Sequence, residues 1–165
     1  MMRILPAALL ATLPFAAPAL AQQDVVTYDA DAVTACLSAA TDDGQRWACI
    51  GQASDGCMAA PGGASTVGMT QCLGHERADW DRLLNDNYAK LVAQTKDSDA
   101  GNAQPVLPAL QAMQRDWIAF RDASCTFAAL QFQGGTAAGP AGESCLLQLT
   151  GEQALRLGSS LGDTP

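Results

Sequence analysis

The residue types that could carry catalysis are few, and their spacing suits it poorly. His75 is the only histidine; it stands beside Glu76 and shortly before Asp79 in HERADWD, a grouping that a metal site or an acid/base pair could use. A lone histidine near a helix start reads first as a surface residue, however, and no histidine or cysteine spacing in the chain matches a zinc site. The six cysteines, Cys36, Cys49, Cys57, Cys72, Cys125 and Cys145, would offer nucleophiles only as free thiols. In an exported chain they are expected to form three disulfides, which leaves no nucleophile and base for acyl transfer. The carboxylates are scattered along helical faces, so no pair can be singled out for glycoside hydrolysis. The residues therefore favour binding, with no catalytic residue, no metal site, no cofactor and no enzyme activity expected.

Binding chemistry concentrates in AMQRDWIAFRDASC, Ala112 to Cys125. At about 3.6 residues per turn, Leu110, Met113, Trp117, Phe120, Ser124 and Phe127 form one stripe, with Ile118 and Cys125 on a neighbouring face. Helical spacing assigns Trp80, Tyr88, Trp117 and Phe120 to the core before any interface. Arg115, Asp116, Arg121 and Asp122 have no opposite charge three or four positions away within the helix, so local pairing at that spacing does not neutralise them. Arg121, at the edge of the stripe, is expected to reach Glu76 or Asp81; Asp122 and Arg115 point away and are the better candidates for contact with a partner.

These side chains need elements to hold them. The first 21 residues combine Arg3, an apolar run broken by prolines, and Ala19-Leu20-Ala21, which reads as a secretory leader cleaved after Ala21. No later apolar run suffices to span a bilayer, so a periplasmic or secreted chain that does not cross the membrane is expected. Nine Lys plus Arg against 17 Asp plus Glu give a net charge of -8, and loss of Arg3 with the leader removes one more positive charge. Such a charge repels nucleic acid and anionic lipid and favours a basic partner; acidity also serves solubility alone.

After the leader, 22–65 reads as a cysteine-containing extension and 66–161 as a helical domain. In the extension, 29–40 and 45–53 are short helices and Pro61-Gly62-Gly63 marks a loop. Met69, Leu73, Trp80, Leu84, Asn87, Tyr88 and Leu91 share one face of a long helix over 66–94. The turn chemistry of 97–105 joins it to a second long helix over 106–132, and a short connection predicts an antiparallel hairpin, with Trp80 opposite Phe120. A loop over 133–142 precedes a third helix over 143–161, despite the cost of Gly151 and Gly158. The fold class is all-α: a small disulfide-stapled bundle, hairpin plus third helix, with a short helical N-terminal extension. Proximity pairs Cys36 with Cys49, Cys57 with Cys72 and Cys125 with Cys145, each loop near the length of about 15 residues whose closure contributes roughly 3 kcal/mol in the chain-entropy picture. Cys72 with Cys125 is the rival, because a hairpin brings both to its open end.

LNDNYAKL, Leu84 to Leu91, resembles the LNxxYxxL pattern, and AMQRDWIAFRDASC the AQRxWxxFRDAxC pattern, of the LprI-like lysozyme inhibitor N-terminal domain family. CLLQLT, Cys145 to Thr150, fits that family's third helix, and the resemblance covers roughly Cys57 to Leu157. It singles out Asn85, Tyr88, Arg115, Trp117, Arg121 and Asp122 as motif residues and binding candidates. Gln153 stands where the family often has Arg. The resemblance implies a small all-helical exported domain, in a family named after a member that inhibits lysozyme; with the leader and the acidic charge, the leading expectation is an inhibitor that binds a basic lysozyme and occludes its cleft. The alternative is a periplasmic structural or protein-interaction module with no effect on lysozyme.

Overall fold

The structure, a computed structural model, describes residues 26–162; the leader lies outside the described residues. Six helices follow in order: α1 (Ala32–Ala39), α2 (Asp43–Ala48), α3 (Gln52–Ala59), α4 (Thr66–Ser98), α5 (Leu107–Leu130) and α6 (Ala138–Gly162), with no strand among the described residues. The fold is all-α.

Local chemistry sets the breaks. The expected helix over 45–53 is two helices, because Gly51 takes φ 98° between them. This left-handed conformation comes without steric cost only to glycine. Asp42 opens α2 by accepting the Gln45 N–H at 2.8 Å, and Ser65 opens α4 by accepting the Gly68 N–H at 2.9 Å. Between α4 and α5, the Asp99 carboxylate accepts the N–H groups of both Val106 and Leu107 at 2.8 Å. One side chain thus satisfies two backbone donors at the start of α5. The second loop is shorter than expected, since α6 already begins at Ala138.

Packing departs from a simple hairpin. α6 runs alongside α4 in the same direction, with Arg77 on Glu143 near one end and Asn87 donating to the Ala154 carbonyl at 2.9 Å further along. α5 runs antiparallel to α6, as its contacts Cys125–Cys145 and Gln153–Gln114 show. Hence α4 and α5 do run in opposite directions, but α6 rather than α5 covers the apolar face of α4, and α4 and α5 touch only slightly. Trp80, fully buried, belongs to a core with Leu84, Leu91, Leu147, Ala154 and Leu157. It does not face Phe120, which is 59 % exposed. Two of the glycines in α6 mark close approaches: a Cβ on Gly151 would lie 2.9 Å from Ile50, and one on Gly158 would lie 3.0 Å from the Asn87 amide. Their helix penalty is offset by the neighbours they admit.

Three disulfides tie the elements together: Cys36–Cys49 joins α1 to the end of α2, Cys57–Cys72 joins α3 to α4, and Cys125–Cys145 joins α5 to α6. The rival Cys72–Cys125 pairing is absent, because α6 lies against both long helices. Trp80→Ala should destabilise the fold by about 3–5 kcal/mol, the range for emptying a buried aromatic site, whereas Phe120→Ala should cost less than about 0.5 kcal/mol. Urea unfolding of the two variants checks that, of these two aromatics, both placed in the core by spacing, only Trp80 is there.

Candidate binding surface

The extension and the body meet at one carboxylate. Glu76 on α4 is fully buried, and its two oxygens accept the Gly51 N–H at 2.7 Å, the Ser54 N–H at 2.7 Å and the Trp80 indole N–H at 2.9 Å. These are the donors that the start of α3 leaves unpaired, together with the indole one turn along α4. Glu76 is therefore committed to the fold, and the expected Arg121–Glu76 contact does not form.

Beside it, His75 stacks on Tyr28 with ring centroids 5.2 Å apart, and the Tyr28 hydroxyl donates to Asp79 at 2.6 Å. His75 is half-buried rather than a plain surface residue. Burial pushes the Tyr28 phenol well above the usual tyrosine range, and the hydrogen bond to Asp79 and the negative charges of Asp79 and Glu76 push it further. Asp79 also pairs with Arg82. No group of three or more His, Cys, Asp or Glu residues placed to hold a metal ion occurs among the described residues.

The motif residues do not converge on one spot. On α4, Asn85 is exposed and donates to Asp81 at 3.1 Å, whereas Tyr88 is half-buried against the core. On α5, Arg121 lies over the Trp117 ring, 5.0 Å from guanidinium carbon to centroid, and pairs with Asp122 at 2.8 Å. Neighbours in sequence thus neutralise each other, a pairing that the three-or-four spacing rule overlooks. Trp117 is half-buried and packs on the core; Arg115 is exposed. Gln153 is buried and its side-chain amide donates to the Gln114 side-chain oxygen Oε1 at 3.0 Å, a neutral pair where an arginine would need a counter-charge. Thr150 is buried with its hydroxyl unpartnered.

The apolar stripe of α5 splits. Leu110 faces α6 and is buried, and Met113, though 43 % exposed, turns its sulfur to the buried Gln153 amide, which donates to it at 3.5 Å; Phe120 and Phe127 are exposed, so the assignment of Phe120 to the core is corrected. Asp122 lies about half a turn from Phe120 on the helical wheel and lines the shallow α5–α6 groove instead. At the α5–α6 turn the backbone is tight: Gln133 adopts φ 50° and Gly134 φ 79°, with Leu130 and Phe132 exposed beside them. Phe132 also borders a groove of about 430 Å³ formed with Met58, Met69, Leu73 and Leu147. No ionisable residue stands between Asp122 and Glu143, so this α5–α6 tip is uncharged. Sequence reasoning missed the Glu76 junction, since nothing in HERADW distinguishes a buried carboxylate from a solvated one.

Residues 57–157, which span the last three residues of α3, all of α4 and α5 and most of α6, match the family described as lysozyme inhibitor LprI. The chain belongs to that family. A protein of Rhodobacter capsulatus described as an uncharacterized 17.7 kDa protein in the puhA 5′ region is 30 % identical over 163 residues, covering 94 % of this chain and 96 % of the relative. An uncharacterized protein of Rhizobium meliloti (strain 1021) is 29 % identical over 99 residues, covering 56 % of this chain and 71 % of that protein. No solved structure matches. In this LprI-family chain the matched region contains Glu76, Trp80 and the α5–α6 turn, whereas the Gly51 and Ser54 donors to Glu76 lie before it, and no helix among the described residues is long and apolar enough to cross a membrane.

The raised phenol of Tyr28 gives a pH signature. Its folded-state value lies above the unfolded one, so its contribution to stability is complete below about pH 10 and is lost as pH rises through the folded value. Urea unfolding between about pH 9.5 and 11.5 should show stability falling with pH, and Tyr28→Phe should flatten that fall. An unchanged slope in the variant would remove the Tyr28–Asp79 bond as its source.

Proposed function

We propose that the protein is an exported, non-enzymatic inhibitor that binds a basic lysozyme and occludes its cleft with the α5–α6 tip. The observation that carries this reading is the family match over the helical body that presents the tip. Lysozyme works through two carboxylates in an open cleft, so an inhibitor needs only a rigid insert and no chemistry of its own. The tip has that character. Phe132 and Gln133 are exposed on a turn anchored at its base by Cys125–Cys145, which fixes the geometry in advance and lowers the ordering cost of binding. Holding Gln133 in the left-handed region costs about 1–2 kcal/mol relative to an unstrained residue, an expense that has a purpose if its side chain is aimed at a partner.

The charge works at longer range. A net charge of -8 steers the chain toward a basic enzyme, while the uncharged tip enters the cleft without burying an unpaired ion. The three disulfides fit an oxidising compartment, and together with the leader they support a periplasmic or secreted location.

The test is the clearing of a cell-wall suspension by lysozymes of several types, with the mature, oxidised protein added. Inhibition should appear with a basic enzyme and weaken as salt rises to several hundred millimolar, where the Debye length falls to a few ångströms. Phe132→Asp should weaken inhibition at least about tenfold, since it places an unpaired charge in the contact, and leave the melting temperature within a few degrees. Absence of inhibition of any lysozyme by the folded protein contradicts the function; full inhibition by Phe132→Asp contradicts the tip.

A further inference from the structure

The outer face of α5 is unusual for a surface. Ala109, Met113, Asp116, Phe120, Ala123, Phe127 and Leu130 are all exposed, and they recur at alternating steps of four and three. That alternation is the heptad seam by which one helix packs along another. A single charge, Asp116, interrupts it. The seam is distinct from the inner stripe of Leu110, Gln114 and Cys125 that already packs toward α6, and only Met113 touches both sides, with its sulfur on the Gln153 amide and 43 % of the residue exposed.

We propose that this seam pairs antiparallel with the same seam of a second copy of the chain. Two features select that occupant. The first is area: Met113, Phe120, Phe127 and Leu130 are 43, 59, 67 and 66 % exposed, and Val106 at the head of α5 is 56 % exposed. With about 150–250 Å² per large side chain, these residues leave on the order of 500 Å² of apolar surface open on each copy. Two copies together approach the roughly 1,200 Å² at which specific interfaces begin, before the intervening alanines are counted.

The second feature is self-complementarity. An antiparallel two-fold centred at the level of Ile118 sets Ala109 against the second copy's Phe127, Met113 against the second copy's Ala123, and Val106 against the second copy's Leu130. Each large side chain then meets a small or medium one, and the same contacts recur through the two-fold. Asp116 falls beside the second copy's Phe120, apart from its own twin. A parallel pairing would instead set Asp116 against Asp116, Phe120 against Phe120 and Ala123 against Ala123, combining charge repulsion, crowding and voids. The antiparallel pair leaves one α5–α6 tip at each end. It rests on the α5 face alone and does not require that the tip bind lysozyme.

Sedimentation velocity of the mature, oxidised full-length protein, without lysozyme, from micromolar to several hundred micromolar, tests the proposal. The expected result is a monomer–dimer equilibrium, with Phe120→Glu monomeric throughout and its circular dichroism and melting unchanged, as befits an exposed position. Asp116→Leu should tighten the dimer by about tenfold or more by removing a charge from the seam. Ala123→Trp is the register test: it adds apolar surface, so a merely sticky face would associate more, whereas the proposed pairing clashes with the second copy's Met113 and weakens. A monomer at every concentration, a dimer indifferent to Phe120→Glu, or a dimer strengthened by Ala123→Trp would each overturn the proposal. So would a wild-type monomer whose lysozyme inhibition is lost in Phe120→Glu, which would give the face to the enzyme.

Discussion

The Glu76 carboxylate is the constraint on which the arrangement of this protein turns. It is fully buried, and three N–H groups from Gly51, Ser54 and Trp80 converge on it. Removing a charge from water is costly, and here the cost is offset by charge-assisted hydrogen bonds to donors that would otherwise be orphaned at the head of α3. Because those donors lie on different elements, satisfying Glu76 fixes where α3 sits on α4. Cys57–Cys72 locks the same junction covalently. With α3 placed, Ile50 comes down on Gly151, so the extension also contacts α6. The cysteine-rich N-terminal segment is thus packed into the family's three-helix body.

From that junction the rest follows in layers. α6 lies between the two other long helices, held to α4 by apolar packing, the Asn87–Ala154 bond and the Arg77–Glu143 pair, and to α5 by the Gln153–Gln114 bond and a disulfide. Since α6 takes the covering role, α5 uses only its inner face for the core. Its outer face, with Phe120 and Phe127, remains on the surface, and its last turn carries the uncharged tip.

Much of this was legible in the residues. Helical periodicity located the long helices, and short loop lengths favoured the three cysteine pairs found. What periodicity could not reveal is which apolar stripe covers which. The chain offers a stripe on each long helix, and a stripe at spacing three and four looks the same whether a neighbour lies on it or not. Trp80 and Phe120 illustrate the limit, since equal spacing assigned both to the core and only one is there. The discriminating signal lay in small residues: Gly151 and Gly158, read as flaws in a helix, mark it as the one approached closely from two sides. Arg121 illustrates another limit, because a guanidinium can pair with its sequence neighbour Asp122 as readily as with a carboxylate a turn away.

In the proposed function a rigid, uncharged tip between α5 and α6 meets the lysozyme, and the acidic surface acts only at a distance. Hydrogen–deuterium exchange of the oxidised protein with and without a basic lysozyme tests it most directly, because backbone amides report contact segment by segment. The account predicts slowed exchange centred on residues 130–137, with α1–α3 unchanged. Protection confined to α1–α3 or to the α4–α5 turn, with the tip exchanging as in the free protein, would contradict it.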